Sequence, residues 1–151
     1  MSPVALLSVL ILTFLQAAPA PQSLSDKRAV LRAVVAITTL PDADVSKVAP
    51  GAEIDHDSEV ARTERVRVVV SIQGCQPNAA GACEATADVV AHRPDGSVHS
   101  EMKNIALSTG RGLATLSLKP DDVTGVYTVE ATVRDPNARR VAKAERLFGV
   151  K

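Results

Sequence analysis

Apolar and polar positions alternate with a period of two along most of the chain beyond residue 64, the signature of strands with one buried face. In Arg65 to Gln73, Val66, Val68, Val70 and Ile72 share one face. Arg65, Arg67, Ser71 and Gln73 share the other, and only Val69 breaks the polar face. Glu84 to Arg93 repeats the pattern with smaller residues: Ala85, Ala87, Val89 and Ala91 inward, Glu84, Thr86, Asp88 and His92 outward. Tyr127 to Arg134 does so again, with Tyr127, Val129, Ala131 and Val133 alternating with Thr128, Glu130, Thr132 and Arg134. Three further strands are expected. Gly112 to Leu118 places Ala114, Leu116 and Leu118 on one face, and Val98 to Leu107 is anchored by Met102, Ile105 and Leu107. In Val141 to Val150 the face of Ala142, Ala144, Phe148 and Val150 also carries Arg146, which predicts a bulge that re-aims the arginine. Ala29 to Thr39 has helix-compatible spacing, but its β-branched run Val34-Val35-Ala36-Ile37-Thr38-Thr39 favours a seventh strand.

The turns agree. Arg93-Pro94-Asp95-Gly96-Ser97 presets a type I turn at the proline and offers a glycine for the left-handed position after it. Lys119 to Gly125 and Asp135-Pro136-Asn137 mark two more reversals. Leu40 to Glu64 is long for a loop and strongly acidic, carrying Asp42, Asp44, Glu53, Asp55, Asp57, Glu59 and Glu64; a short strand is expected inside it at Ala52 to Ile54. Seven short strands in about 120 residues, with frequent turn signals, predict an all-β antiparallel sandwich.

Composition narrows the setting. Aromatics are 2% of the 151 residues, so Ala and Val must build most of the interior. Lys+Arg and Asp+Glu are both 17, giving no net charge and none of the basic excess of a nucleic-acid binder. Val4 to Leu15 is an apolar run followed by Ala17, Ala18 and Ala20, read as a signal peptide over residues 1–20 with cleavage after Ala17 or Ala20. No later run is long enough to span a membrane. The expected mature domain is residues 24–151, periplasmic or secreted. That setting permits a disulfide between Cys75 and Cys83, closed over the turn-rich Gln-Pro-Asn-Ala-Ala-Gly-Ala.

The segment Leu116-Ser117-Leu118-Lys119-Pro120-Asp121-Asp122-Val123-Thr124-Gly125-Val126-Tyr127-Thr128-Val129-Glu130-Ala131 resembles the E–F corner of immunoglobulin-like domains. Together with the Pro-Asp-Gly hairpin and the Val133-Arg134-Asp135 ending, it resembles small exported bacterial proteins with one such domain, of the fibronectin III or macroglobulin type. The resemblance implies that Tyr127 is a tyrosine-corner residue whose hydroxyl bonds the turn backbone. The chain departs from antibody domains in having Val129 where they have a cysteine, no tryptophan, and Val123 where an aspartate is expected.

Candidate chemistry is sparse. There is no Gly-x-Ser-x-Gly elbow, Walker loop, dinucleotide fingerprint or HExxH motif, so no catalytic residue and no cofactor is expected. His92 and His99 flank the Pro-Asp-Gly turn. A two-residue turn sets them opposite each other as a chelating pair, whereas a three-residue turn with a bulge sets His92 against Val98 and His99 against Ala91, both as ordinary surface histidines. The second is favoured. Asp55-His56-Asp57-Ser58-Glu59 lacks the spacing of a calcium loop and reads as a solvated acidic stretch. The expectation is a noncatalytic binding or assembly module that recognises a protein partner through loops or a sheet edge. A small metal-handling protein and an inhibitor or immunity-type protein are the alternatives. The candidate partner-binding residues are Asp42, Asp44, Asp55, His56, Asp57 and Glu59, in a loop whose removal is expected to spare folding.

Overall fold

The computed structural model describes residues 30–49, 52–119 and 121–151. The leader and the first residue of the Ala29–Thr39 stretch lie outside the described residues. Eight strands and one short helix follow in order: β1 (Arg32–Thr38), α1 (Asp42–Val45), β2 (Glu59–Val60), β3 (Val66–Gln73), β4 (Thr86–His92), β5 (Val98–Ala106), β6 (Arg111–Leu116), β7 (Gly125–Asp135) and β8 (Arg140–Val150). They form two sheets, β1-β3-β6 and β2-β8-β7-β4-β5, antiparallel except where the two residues of β2 run parallel to the end of β8. The chain crosses between the sheets from β3 to β4, from β5 to β6 and from β6 to β7, while β4–β5 and β7–β8 are hairpins within one sheet, an arrangement of the immunoglobulin-like sandwich kind.

The apolar faces predicted by period-two reading are the ones buried between the sheets. Val66, Val68, Val70, Ala87, Val89, Ala91, Val129 and Val133 are all fully enclosed. Tyr127 and Phe148, the two Phe or Tyr residues among the described residues, meet in the core with their rings 5.6 Å apart and tilted. Val and Ala supply most of the rest, and such small side chains bring the layers close together. A methyl added at Gly112, on β6, would lie within 2.7 Å of both Leu107 and Ile105, so the backbone there approaches as only glycine allows.

The corner implied by the resemblance is formed: the Tyr127 hydroxyl donates to Val123 O at 2.9 Å. The β4–β5 hairpin is the three-residue form. Arg93 N–H donates to Ser97 O at 2.8 Å, Gly96 N–H donates to Arg93 O at 2.9 Å, and Gly96 has φ +83°. Cys75 and Cys83 are joined (S–S 2.04 Å). Their loop is held to the β7–β8 turn, where Asp135 accepts Gln76 N–H at 2.9 Å and Arg140 donates to Gly74 O at 2.7 Å.

Three expectations are corrected. The strand between β1 and β3 is at Glu59–Val60, not at Ala52 to Ile54. Pairing of β7 with β8 runs without a register shift from Gly125↔Val150 to Asp135↔Arg140, so no bulge re-aims Arg146. Arg146 stays on its face because it lies at the margin of the sandwich, where its Nε–H donates to Val35 O at 3.0 Å and its long side chain reaches outward. Finally, the acidic stretch is not an appendage. It lies over the outer face of β1-β3-β6, where Val45 packs with Ala36, Val69, Ile54 and Leu113 in a second small core. That cover explains why Val69 interrupts the polar face of β3 and why Arg67 beside it is buried.

Candidate functional site

Segment 40–60 is fastened by side chains at each turn. Asp42 pairs with the buried Arg67. Arg111, from β6, donates to four carbonyl oxygens at the end of α1 and just beyond it: Val45 (3.4 Å), Val48 (2.9 Å), Ala49 (3.2 Å) and Ala52 (3.0 Å). A guanidinium is suited to this because its donors are fixed in a planar fork and always charged. Further along, His56 stands between the facing margins of the two sheets. Its Nδ1 accepts Ile37 N–H at 3.2 Å and its Nε2–H donates to Leu147 O at 3.0 Å. Asp57 accepts both the N–H (2.7 Å) and the hydroxyl (3.0 Å) of Thr39, while its own N–H donates to Ile37 O at 2.7 Å.

The six candidate partner-binding residues therefore divide. Asp42, His56 and Asp57 hold the fold together. Asp44 pairs with Lys47 at 2.9 Å and Glu59 with Lys151 at 2.9 Å, both on the surface. The hydrogen bond and charge of Lys151 hold the Glu59 carboxyl below the ordinary range. Asp55 alone has no partner among the described residues. Removal of this segment would uncover Val69 and Ala36, take from Arg67 its carboxylate partner, and open the margin between β1 and β8. On that ground the loss of the segment is expected to cost stability by exposing apolar surface.

Residues 52–56 form one wall of a cleft of about 260 Å³. Its floor is the outer face of β1 and β3, namely Arg32, Val34, Ala36, Ser71 and Gln73, and Arg146 closes it from β8. Register sets Arg32 beside Gln73 and Val34 beside Ser71, so these outward positions line up along a single groove. Val34 is 51% exposed there. Glu53, Asp55 and Arg32 have no hydrogen-bond or ionic partner among the described residues, and the terminal nitrogens of Arg146 have none either. Two carboxylates and two guanidiniums thus face an apolar strip. Arg32 gave no signal in the sequence, since a lone exposed arginine on a strand is unremarkable; Arg146 stood out only as a misfit in its pattern.

The histidine pair is not assembled. His92 faces Val98, as the three-residue turn requires, but Ala91 faces Ser100, which leaves His99 as the extra residue of a bulge. His92 lies on the outer face, 3.9 Å from Glu130. His99 turns inward, with its side chain 7% exposed, its Nε2–H bonded to Asp122 at 3.0 Å and its ring edge against Tyr127. The expectation that both are surface histidines is corrected for His99: the bulge, by adding a residue, flips its side chain into the end of the core. Asp122 also accepts Lys119 N–H at 2.7 Å, and chiefly that bond, against some burial and with help from His99, holds its carboxyl below the ordinary value. Among the described residues no three His, Cys, Asp or Glu side chains are grouped to hold a metal ion. No helix among them is long and apolar enough to cross a membrane.

No family model and no curated protein matches the chain. Among solved structures it is similar to a superoxide reductase (neelaredoxin) from Ignicoccus hospitalis, at 15% identity and a TM-score of 0.44 over 66% of this chain and 79% of the other. It is also similar to an immunoglobulin-like protein from Pseudomonas aeruginosa, at 13% identity and a TM-score of 0.43 over 83% of this chain and 99% of the other. The immunoglobulin-like assignment rests on the chain's own strand order and tyrosine corner, and no activity is carried over from these proteins.

Proposed function

We propose that this chain is an exported, noncatalytic binding module and that the cleft along β1 is where it takes a protein partner. The observation that carries the reading is the set of charges without a partner among the described residues, Arg32, Glu53, Asp55 and the terminal nitrogens of Arg146, around an exposed apolar strip in a groove that the acidic segment helps to build. Elsewhere in that segment Asp42, Asp57 and Glu59 bond to the rest of the fold, and Asp44 pairs locally with Lys47. The state of the sheet margins also favours a cleft over strand addition. On β1, Ile37 and Val35 already spend outward-facing backbone groups on His56, Asp57 and Arg146. On β5, the bulge at His99 and the left-handed Asn104 (φ +57°) interrupt the straight edge that a pairing strand needs. Export is supported by the apolar leader, and by the disulfide, which persists in oxidising compartments.

A photo-reactive amino acid placed at Val34 in the full chain tests this, with the same group at Lys143 on the opposite sheet as reference. Irradiation in an extract of the source organism is expected to give one discrete protein adduct from position 34 and none from position 143. No adduct from position 34, or the same adducts from both, overturns the proposal.

A further inference from the structure

The outer margin of β8 is left without a paired strand along most of its length. β2 pairs only with Gly149 and Val150 at its end. β1 meets it through the side chains of Arg146 and His56 and not by backbone pairing. Hydrogen bonding fixes which backbone groups point outward. Gly149 N–H donates to Ser58 O at 2.7 Å and Lys151 N–H to Val60 O at 3.0 Å, both away from β7. Backbone groups point the same way at every second residue of a strand. Val141, Lys143, Glu145 and Leu147 therefore also turn their N–H and C=O away from β7. Of these groups only Leu147 O has a partner among the described residues, His56. The pairing of β7 with β8 has no register shift, and Val141 to Leu147 contains no proline. Two devices that commonly close a sheet edge are thus missing there.

Because Phe148 and Val150 point into the core, the side chains of the same four residues stand on the outer face of the sheet. In order they are apolar, positive, negative and apolar. Val141 is 60% exposed and Leu147 50%. Lys143 and Glu145 have no ionic partner among the described residues. Glu145 is set directly opposite Glu130 on β7, a like-charge pair that is unfavourable on its own. Taken in the reverse direction, the four residues complement themselves. We infer that this margin pairs with the same margin of a second copy of the chain, antiparallel and about a two-fold axis at Ala144. Lys143 then lies opposite Glu145 of the second copy and Val141 opposite its Leu147, each pair exchanging backbone hydrogen bonds. A cation thereby reaches Glu145, and two exposed apolar side chains cover each other. At the axis the two Ala144 residues face each other as a non-hydrogen-bonded pair, where the backbones come within about 4.5 Å and a methyl group fits. The contact is isologous, the same patch on both copies, and it joins the two larger sheets into one. It leaves the reading of the cleft untouched. A single strand edge on each side makes a small and weak interface, so position 143 stays unpaired when the chain is dilute, as in the irradiation experiment.

Sedimentation velocity of the full chain, from micromolar to millimolar concentration, is expected to show a monomer giving way to a dimer. Lys143→Glu alone and Glu145→Lys alone each set like charges opposite one another at both ends of the contact. Each should weaken the dimer about tenfold or more. An equimolar mixture of the two variants restores both opposite-charge pairs and should regain the dimer. Both residues are exposed, so each variant should keep the parent's circular dichroism. Cysteines test the register. On mild oxidation Ala144→Cys should give a cross-linked dimer, since the two positions face each other within disulfide reach. Ala142→Cys, which faces Arg146 of the second copy, should not. A monomer at millimolar concentration, a dimer indifferent to both charge reversals, no recovery in the mixture of folded variants, or equal cross-linking from 142 and 144 each overturns the inference.

Discussion

Asp135 shows how much one side chain contributes when it is buried and fully used. It is 1% exposed, and it accepts N–H groups from Gln76 and Ala138 and a guanidinium N–H from Arg140. Burial alone would raise its pKa; the bonds to Gln76, Ala138 and Arg140 outweigh that, and the net direction is downward. It ties the disulfide loop to the β7–β8 turn, two places far apart in sequence. Asp135→Asn would keep the shape, remove the charge and set an amide N–H₂ against donors. We expect a loss of about 2–3 kcal/mol in urea unfolding with the disulfide intact. A change under about 0.5 kcal/mol, the scale of an ordinary surface substitution, would show that the contacts are incidental. Nothing in Asp135-Pro136-Asn137 marks the aspartate as more than a turn former, because its one distant partner, Gln76, lies in a loop 59 residues away.

Among the elements, segment 40–60 is the one whose role changed most between sequence and structure. Its acidity was legible; its attachment was not, since the groups that hold it come from β1, β3, β6 and β8. Arg111 is the strongest clamp, and in sequence it is only one residue of Thr-Gly-Arg-Gly. Arg111→Ala releases four carbonyl oxygens at the end of α1 and beyond it, a stretch that a helix of only four residues does little to stabilise. The expected loss is about 2–4 kcal/mol. Hydrogen exchange should localise it, with protection falling across residues 45–57 before the paired strands β4 and β7 are affected. Uniform loss across both sheets would mean instead that the segment is part of the global folding unit.

For the molecule as a whole, acid is the lever that reaches several joints together. Asp88, Asp122 and Asp135 all have carboxyls held below the ordinary value of 3.8. For Asp88 the chief cause is the backbone N–H of Asn104, followed by the bond from Arg134; for Asp122 it is the backbone N–H of Lys119. A carboxyl whose pKa is lower folded than unfolded adds stability that is complete above the unfolded value and is lost as pH falls through the folded one. Thermal unfolding should therefore change little from neutral pH to about pH 5 and then fall steeply. Asp135→Asn should flatten the acid limb of that curve by removing one of its contributors. An acid limb unchanged in the variant would show that Asp135 titrates alike in both states.

By itself the sequence determined what depends on neighbours along the chain. Alternation set which residues of β3, β4, β6 and β7 face inward, because a strand's side chains must point to opposite sides. Pro94, Asp95 and Gly96 set the hairpin, because turn geometry follows from the φ values those residues accept. The Gly125-Val126-Tyr127 corner set the link between the sheets. Only the tertiary structure decided what depends on distant partners. It covered the outer face of β1 and β3 and so buried Val69 and Arg67 against the pattern. It turned His99 into the core through a bulge one residue long, and it brought Arg32 and Arg146 to one cleft with Asp55. Such contacts join residues from 23 to 111 positions apart, and no local preference along the chain encodes which of its charges will meet.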